Sequence, residues 1–141
     1  MLSKIKEMHG GRLDVLVPNT ACSTHFGDQL DISEKAYDKL WSLNVKSTFF
    51  LIKESLDMLK ESKAANILVV SSVTGTMPSY TIGVYAMTKA ALDNMVKGLS
   101  QELRDDSIRV NGIAPGLIRT EFSGPLWNAD VPKESIGEAH Q

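Results

Sequence analysis

Hydrophobic positions along the chain alternate between short runs and long stretches with helical periodicity. Residues 13–17, 66–70 and 108–113 are short, mainly apolar runs with the length of a buried strand. Between them, residues 34–60 and 84–104 repeat apolar side chains at spacings of three and four, which is typical of a helix with one buried face. The order strand, helix, strand, helix, strand predicts an α/β domain with a parallel sheet.

The ends of these elements carry residues that start or stop a helix. Ser33 precedes the first long helix and is a preferred N-cap residue. Residues 1–9 are expected to be the end of another helix, which the following pair of glycines stops. Towards the carboxyl end of the chain the apolar periodicity fades. We therefore expect one domain over residues 1–128 and an irregular tail over residues 129–141.

Polar residues gather where each predicted strand ends. The segments in question are residues 19–21, 71–75 and 114–120. In parallel α/β sheets, ligands bind beyond the carboxyl ends of the strands, and these ends lie at one edge of the sheet. The sequence therefore predicts that the three segments form one binding site.

The composition limits which partners the chain can bind and in which cellular compartment it can work. The 141 residues have a formal net charge of −2, and the Lys and Arg residues are scattered, so a nucleic-acid partner is not expected. A single cysteine, Cys22, excludes an internal disulfide and fits a reducing compartment, the cytoplasm, with the peroxisome and the mitochondrion left open. The apolar runs are too short for a membrane span, and the three histidines lack ligand spacing, so neither a membrane nor a metal site is expected.

Tyr85 and Lys89 are the first candidates for chemistry. They lie four residues apart at the start of the second long helix, so their side chains share one face. A nearby ammonium lowers the pKa of a phenol, which makes the pair a candidate general acid and base. Such a pair also occurs by chance on helices. Ser72, at the end of the second strand, strengthens the hypothesis because its hydroxyl could hydrogen-bond a substrate carbonyl.

Asn44 is the fourth candidate, in the middle of the first long helix. Asparagine is a poor helix former there because its side chain competes for backbone hydrogen bonds. Two interpretations are open. Asn44 is either an ordinary surface residue on the solvated face or a break in the helix that exposes a polar group able to hold water.

Asn44, Ser72, Tyr85 and Lys89, with the residues around them, resemble the Asn-Ser-Tyr-Lys tetrad of the short-chain dehydrogenase/reductase (SDR) family. The segments that carry the resemblance are residues 13–21, 44–46, 69–73, 85–92 and 108–120. Within the family, residues 115–120 and 122–127 are similar to the carbonyl-reductase-like members.

The resemblance implies a Rossmann-type, doubly wound parallel sheet, of which this chain holds the second half. It also implies an oxidoreductase that uses NADP or NAD to reduce ketone and aldehyde carbonyls or to oxidise secondary alcohols, which are small-molecule substrates. Tyr85 would be the acid and base, and Lys89 would lower its pKa and hold the nicotinamide ribose. Ser72 would orient the carbonyl, and Asn44 would keep a water in the proton relay.

The same resemblance assigns residues to the cofactor. The implied cofactor-binding residues are Asn19, Ala21, Tyr85, Lys89, Pro115, Gly116, Ile118 and Thr120. The residue that would distinguish NAD from NADP belongs to a segment that these 141 residues do not include, so both cofactors remain open.

The sequence departs from the family pattern in three places, one of which is the missing last strand with its preceding helix, expected past about residue 130. The Gly-rich strand, turn and helix that receives the pyrophosphate is absent from these residues. Residues 18–21 read Pro-Asn-Thr-Ala where the family has Asn-Asn-Ala-Gly. We therefore expect a chain truncated at both ends, with three family strands and weak cofactor binding.

A second hypothesis follows from these departures. The chain is then a catalytically inactive fragment that associates with a full-length relative or with itself. In complete family members the two long helices, here residues 34–60 and 84–104, commonly form the subunit interface.

Overall fold

Three parallel strands form the sheet in a computed structural model that describes residues 1–77 and 79–127. The strands β1 (Val15–Leu16), β2 (Asn66–Val70) and β3 (Arg109–Ile113) lie in the order β1-β2-β3, with β2 in the centre. The pairing of β2 with β3 extends over the full length of both strands, whereas β1 pairs through two residues. The predicted α/β class with a parallel sheet is confirmed. The predicted tail, residues 129–141, lies outside the described residues.

The first predicted long helix is present with an irregularity at its centre. It consists of α2 (Glu34–Trp41), a π-helical segment (Ser42–Lys46) and α3 (Ser47–Lys60) without a break in the chain. The hydroxyl of Ser33 accepts a hydrogen bond from the backbone N–H of Ala36 at 3.2 Å, so the predicted N-cap is confirmed. A π-helical turn shifts the helical register by one residue and is frequent at functional sites.

The other helices agree with the predicted positions within two residues. These are α1 (Leu2–Met8) and α4 (Gly83–Glu102). A short helix, α5 (Gly124–Trp127), lies in a segment whose faded periodicity predicted no regular structure. None of the helices in residues 1–77 and 79–127 is long and apolar enough to cross a membrane.

The core lies between one face of the sheet and the helices α3 and α4. Its fully or nearly fully buried side chains are Ile52, Leu59, Ala65, Ile67, Val69, Leu92, Leu103, Ile108 and Val110. Ile67 and Val69 alternate along β2, as expected for a strand with one face on a core. The opposite face of the sheet carries the exposed side chains of Val15 and Ile113. The sheet therefore has one helical layer in the described residues, half of the doubly wound arrangement.

Candidate functional site

A cleft of about 550 Å³ opens where the three strands end. Its walls include all three segments that the strand ends predict, because parallel strands deliver their following loops to the same edge of the sheet. The predicted site residues on these walls are Asn19, Ala21, Ser72, Tyr85, Lys89, Pro115, Gly116, Ile118 and Thr120. Asn44 is the one predicted residue that does not line the cleft.

Ser72 and Tyr85 meet across this cleft. Tyr85 lies in the first turn of α4, and Ser72 follows β2, so the fold brings a helix start against a strand end. The hydroxyl of Ser72 accepts hydrogen bonds from the backbone N–H of Thr74 at 3.2 Å and from the hydroxyl of Thr74 at 3.0 Å. These bonds fill its two lone pairs. The hydrogen of Ser72 is therefore free to be donated, and its bond with Tyr85 lowers the pKa of that phenol.

The pKa of Tyr85 is nevertheless raised above its ordinary value. Burial is the largest cause because it disfavours the phenolate, and the bond from Ser72 offsets it in part. Lys89, which was expected to lower this pKa, is not among the causes of the shift. The ammonium lies 5.5 Å from the centroid of the Tyr85 ring and donates a hydrogen bond to the carbonyl of Val70 at 2.9 Å. It thus contacts the face of the ring and the strand end instead of the phenolic oxygen.

Lys89 is 3% exposed, which is unusual for an amine. Burial lowers its pKa to about 8, and the carboxylate of Asp93, one helical turn further along α4, acts in the opposite direction. The hydroxyl of Ser71 donates to the backbone carbonyl of Lys89 at 3.1 Å and so joins the helix to the end of β2. The site therefore holds a partly desolvated ammonium at the floor of the cleft.

The lowered pKa of Lys89 predicts a gain in stability as the pH rises from about 8 to about 10. In this range the native amine loses its proton, whereas the unfolded chain keeps its proton until about pH 10.4. At this group the unfolded state then binds more protons, so Lys89 contributes a slope of up to about 1.4 kcal/mol per pH unit to the free energy of unfolding, which the raised pKa of Cys22 opposes at the upper end of the range.

Urea unfolding at several pH values in this range measures the slope. Lys89→Met should remove it, whereas Lys46→Met, a change at an exposed lysine, should leave it unchanged. A wild-type slope equal to that of Lys89→Met would contradict the prediction.

Asn44 lies in the π-helical segment and is 0% exposed. Its Oδ1 accepts a hydrogen bond from the backbone N–H of Cys22 at 2.8 Å. Its Nδ2 donates to the carbonyl of Cys22 and to the hydroxyl of Thr88, each at 3.0 Å. The interpretation as a surface residue is wrong. The helix is irregular here, as the alternative interpretation predicted, but both amide hydrogens bind protein groups and are not exposed to water.

Sequence reasoning missed the two partners of Asn44. From the sequence, Cys22 was considered only for disulfide formation, yet its backbone binds Asn44 through both polar groups, and burial raises the pKa of its thiol. Thr88 is fully buried between the two catalytic candidates of α4. Only its position directly before Lys89 could have indicated a role at the site, and a threonine in a helix forms no pattern that the sequence reveals.

The segment after Thr120 closes one side of the cleft. The ring of Phe122 lies 6.0 Å from that of Tyr85, centroid to centroid. The hydroxyl of Ser123 accepts hydrogen bonds from the backbone N–H of Thr120 at 3.1 Å and from the indole N–H of Trp127 at 2.9 Å. It also donates to the carbonyl of Ile118. Ser123 thus links the residues of this wall by hydrogen bonds. The sequence did not indicate this role, because apolar periodicity has faded in this segment.

Metal-binding side chains do not cluster in the part of the chain that the structure describes. No three His, Cys, Asp or Glu residues of that part lie close enough together to hold a metal ion.

Comparisons with known proteins agree with this fold. The short chain dehydrogenase family model matches residues 1–130, so the chain belongs to the short chain dehydrogenase family. Dehydrogenase/reductase SDR family member 4 of Bos taurus is 38% identical over 96% of this chain and 48% of its own length. The predicted family is confirmed, as is the similarity to this carbonyl-reductase-like member. The chain spans about half the length of the curated relatives it matches.

Solved structures show the same partial coverage. A structure described as ElxO with NADP bound has a TM-score of 0.82 and 30% identity, covering 99% of this chain and 56% of its own. A short chain dehydrogenase from Salmonella enterica has a TM-score of 0.84 and 27% identity, covering 94% of this chain and 55% of its own. The partial Rossmann-type fold is therefore confirmed.

Proposed function

We propose that the cleft is the nicotinamide and substrate half of an NAD(P)(H)-dependent oxidoreductase that reduces ketones and aldehydes or oxidises secondary alcohols. The observation that carries the proposal is the convergence of Ser72, Tyr85 and Lys89 on one cleft from two separate elements. Each supplies a different function: a directed hydroxyl, a buried phenol and a buried ammonium.

The proton chemistry follows from the groups themselves. Tyr85 has a raised pKa and is protonated at neutral pH, so it can donate a proton to a carbonyl oxygen as hydride arrives at the carbon. The hydrogen of Ser72, which Tyr85 receives in this structure, would be donated to the carbonyl oxygen when substrate binds, holding that oxygen beside Tyr85 and stabilising the charge that develops on it. In the alcohol-oxidising direction the phenolate of Tyr85 accepts the proton, and because the raised pKa keeps this group protonated at neutral pH, oxidation is favoured at high pH.

The residues of the cleft fit a nicotinamide nucleotide. When bound, this cofactor supplies or accepts the hydride. The ammonium of Lys89 has three donors, of which Val70 receives one, so the others are suited to ribose hydroxyls. The remaining proposed contacts are Asn19, Ala21, Pro115, Gly116, Ile118 and Thr120. NADP is present in the ElxO structure, which supports NADP without excluding NAD for this chain.

In this proposal Asn44 acts on the site from a distance. It is not in the cleft, so it holds the adjoining chain segment and does not touch the substrate. The amide hydrogens of Asn44 are already used, so a water in the proton relay would have to donate to an oxygen of this residue or bind another polar group.

Cofactor titration tests the proposal. The 141-residue chain has no Gly-rich turn after a strand, so we expect it to bind NADPH and NADH more weakly than micromolar. A fusion that places the Gly-rich half of the Bos taurus relative before this chain is expected to bind tightly and to turn over ketones. Calorimetry and cofactor absorbance measure both. A folded fusion that binds cofactor but reduces no carbonyl would overturn the proposed activity.

Association through the helices is the second candidate function, and exposed aromatic residues favour it. On α3, Phe49 and Phe50 are both partly exposed and pack edge to face with 5.5 Å between their centroids. On α2, the ring centroids of Tyr37 and Trp41 are 6.0 Å apart. On α4, the side chain of Met87 is exposed. Clustered apolar side chains of this size are typical of a surface that binds another protein.

Phe50→Glu is expected to weaken association of the chain with itself or with a full-length relative. The carboxylate would be buried without a partner in the interface, whereas it is solvated in the free chain. Leu30→Glu is the matched control because Leu30 is exposed outside the long helices. Sedimentation gives the mass, and circular dichroism checks that the helix content is unchanged. A chain that stays monomeric at tens of micromolar would argue against this candidate.

A further inference from the structure

Thr88 lies on α4 between the two proposed catalytic residues of that helix, and its hydroxyl both donates and accepts a hydrogen bond. It donates to the backbone carbonyl of Tyr85 at 2.7 Å. It accepts a hydrogen bond from Nδ2 of Asn44 at 3.0 Å. A hydroxyl has one hydrogen, so the bond to Tyr85 leaves only lone pairs to face Asn44. Thr88 therefore offers Asn44 an acceptor with a set orientation.

The amide of Asn44 continues this connection to the opposite wall of the cleft. Its Oδ1 and Nδ2 bind the backbone N–H and carbonyl of Cys22, as a neighbouring strand would do. Residues 19 and 21, directly before Cys22, line the cleft. An unbroken series of hydrogen bonds thus runs from the backbone of Tyr85 to the segment after β1.

We propose that Thr88 is a positioning residue whose buried hydroxyl orients the amide of Asn44 and thereby holds residues 19–22 in place against α4. The effect of this positioning on catalysis, the alignment of a cofactor with Tyr85, rests on the proposed function. The effect on the structure is independent of the proposed function, since the hydrogen bonds are present in this chain.

The chemistry of the side chain provides the test variants. Serine can make both hydrogen bonds of Thr88, whereas valine has the same shape and can make neither. Thr88→Val leaves one N–H of Asn44 without an acceptor in the interior, which is costly. Ser55→Ala is the matched control because Ser55 is fully buried but its hydroxyl donates only within α3, to Leu51 at 2.7 Å.

Amide hydrogen exchange measured by NMR on the full chain tests the structural part. In Thr88→Val the Cys22 amide is expected to exchange about two- to tenfold faster, the effect of weakening one buried hydrogen bond, while the amides of β2 keep their rates. Thr88→Ser and Ser55→Ala should match the wild type at Cys22. If Thr88→Val does not fold, Thr88→Ala removes the same hydroxyl and must show the same local effect. An unchanged Cys22 amide, or equal acceleration at every amide, overturns the proposal.

Kinetics on the active fusion tests the catalytic part. Thr88→Val should raise the KM for cofactor and lower kcat, and Thr88→Ser should restore both. An altered Cys22 amide together with a folded fusion that binds cofactor but never turns over would refute the proposed activity and leave the positioning role in place. An altered amide with unchanged kinetics in an active fusion would refute the catalytic part.

Discussion

Replacing Tyr85 by phenylalanine is expected to lower kcat by roughly 10²–10⁴-fold in the fusion that binds cofactor, because only the hydroxyl can deliver the proton. The ring should stay in place, since it is nearly buried and packs beside Phe122 and the ammonium of Lys89. Cofactor affinity should therefore change little. The contrast between a lost kcat and a retained Kd separates a proton donor from a structural residue.

Tyr37→Phe is the control for this experiment. It removes a phenolic hydroxyl from a partly exposed ring on α2, outside the cleft, and should leave kcat unchanged. If Tyr85→Phe keeps most of its kcat, another group donates the proton. If it loses cofactor binding as well, the hydroxyl serves binding, and its assignment as the acid would be wrong.

Truncating Leu59 to alanine is expected to lower the free energy of unfolding by about 2–5 kcal/mol. Leu59 is 0% exposed and belongs to the core cluster between α3, α4 and the sheet. Its loss removes apolar contacts and leaves a cavity that close-packed neighbours fill only in part. The free energy of unfolding of a small domain is itself only about 5–15 kcal/mol, so a loss of this size populates the unfolded state.

Leu30→Ala provides the matched comparison, because Leu30 is 93% exposed. The same truncation there should change the free energy of unfolding by less than about 0.5 kcal/mol. Urea unfolding followed by circular dichroism measures both variants. Equal effects at the two positions would show that α3 does not pack on the sheet as described, or that the chain lacks a cooperative core.

The two candidate functions need different parts of the same helices. The buried side of α4 carries Tyr85 and Lys89 into the cleft and Thr88 into the interior, while Met87 is exposed. Tyr85→Phe and Phe50→Glu therefore act on separate surfaces. A chain that loses turnover with the first change and association with the second would have both properties, because neither substitution touches the other site.

The pattern of apolar residues was sufficient for the order and placement of the main elements. The bounds predicted for β2 are those of the structure, and α4 differs by two residues at most at either end. A strand or helix that packs on one face repeats its apolar residues with a fixed period, so the period indicates which element forms and which face is buried. The strand β1 is shorter than its apolar run because its pairing with β2 is limited to two residues.

The sequence by itself determined the family, through the resemblance of the tetrad and the segments around it. It also determined the parallel α/β arrangement and the segments that meet at the cleft, since the order of elements along the chain and the strand ends follow from local patterns. Only the tertiary structure decided what each polar group does there. Asn44 is buried on Cys22 and Thr88, and Lys89 faces a ring and a carbonyl instead of a phenol oxygen. The reason is physical: burial and hydrogen-bond partners depend on groups from distant segments, and burial dominates the pKa shifts of both Tyr85 and Lys89.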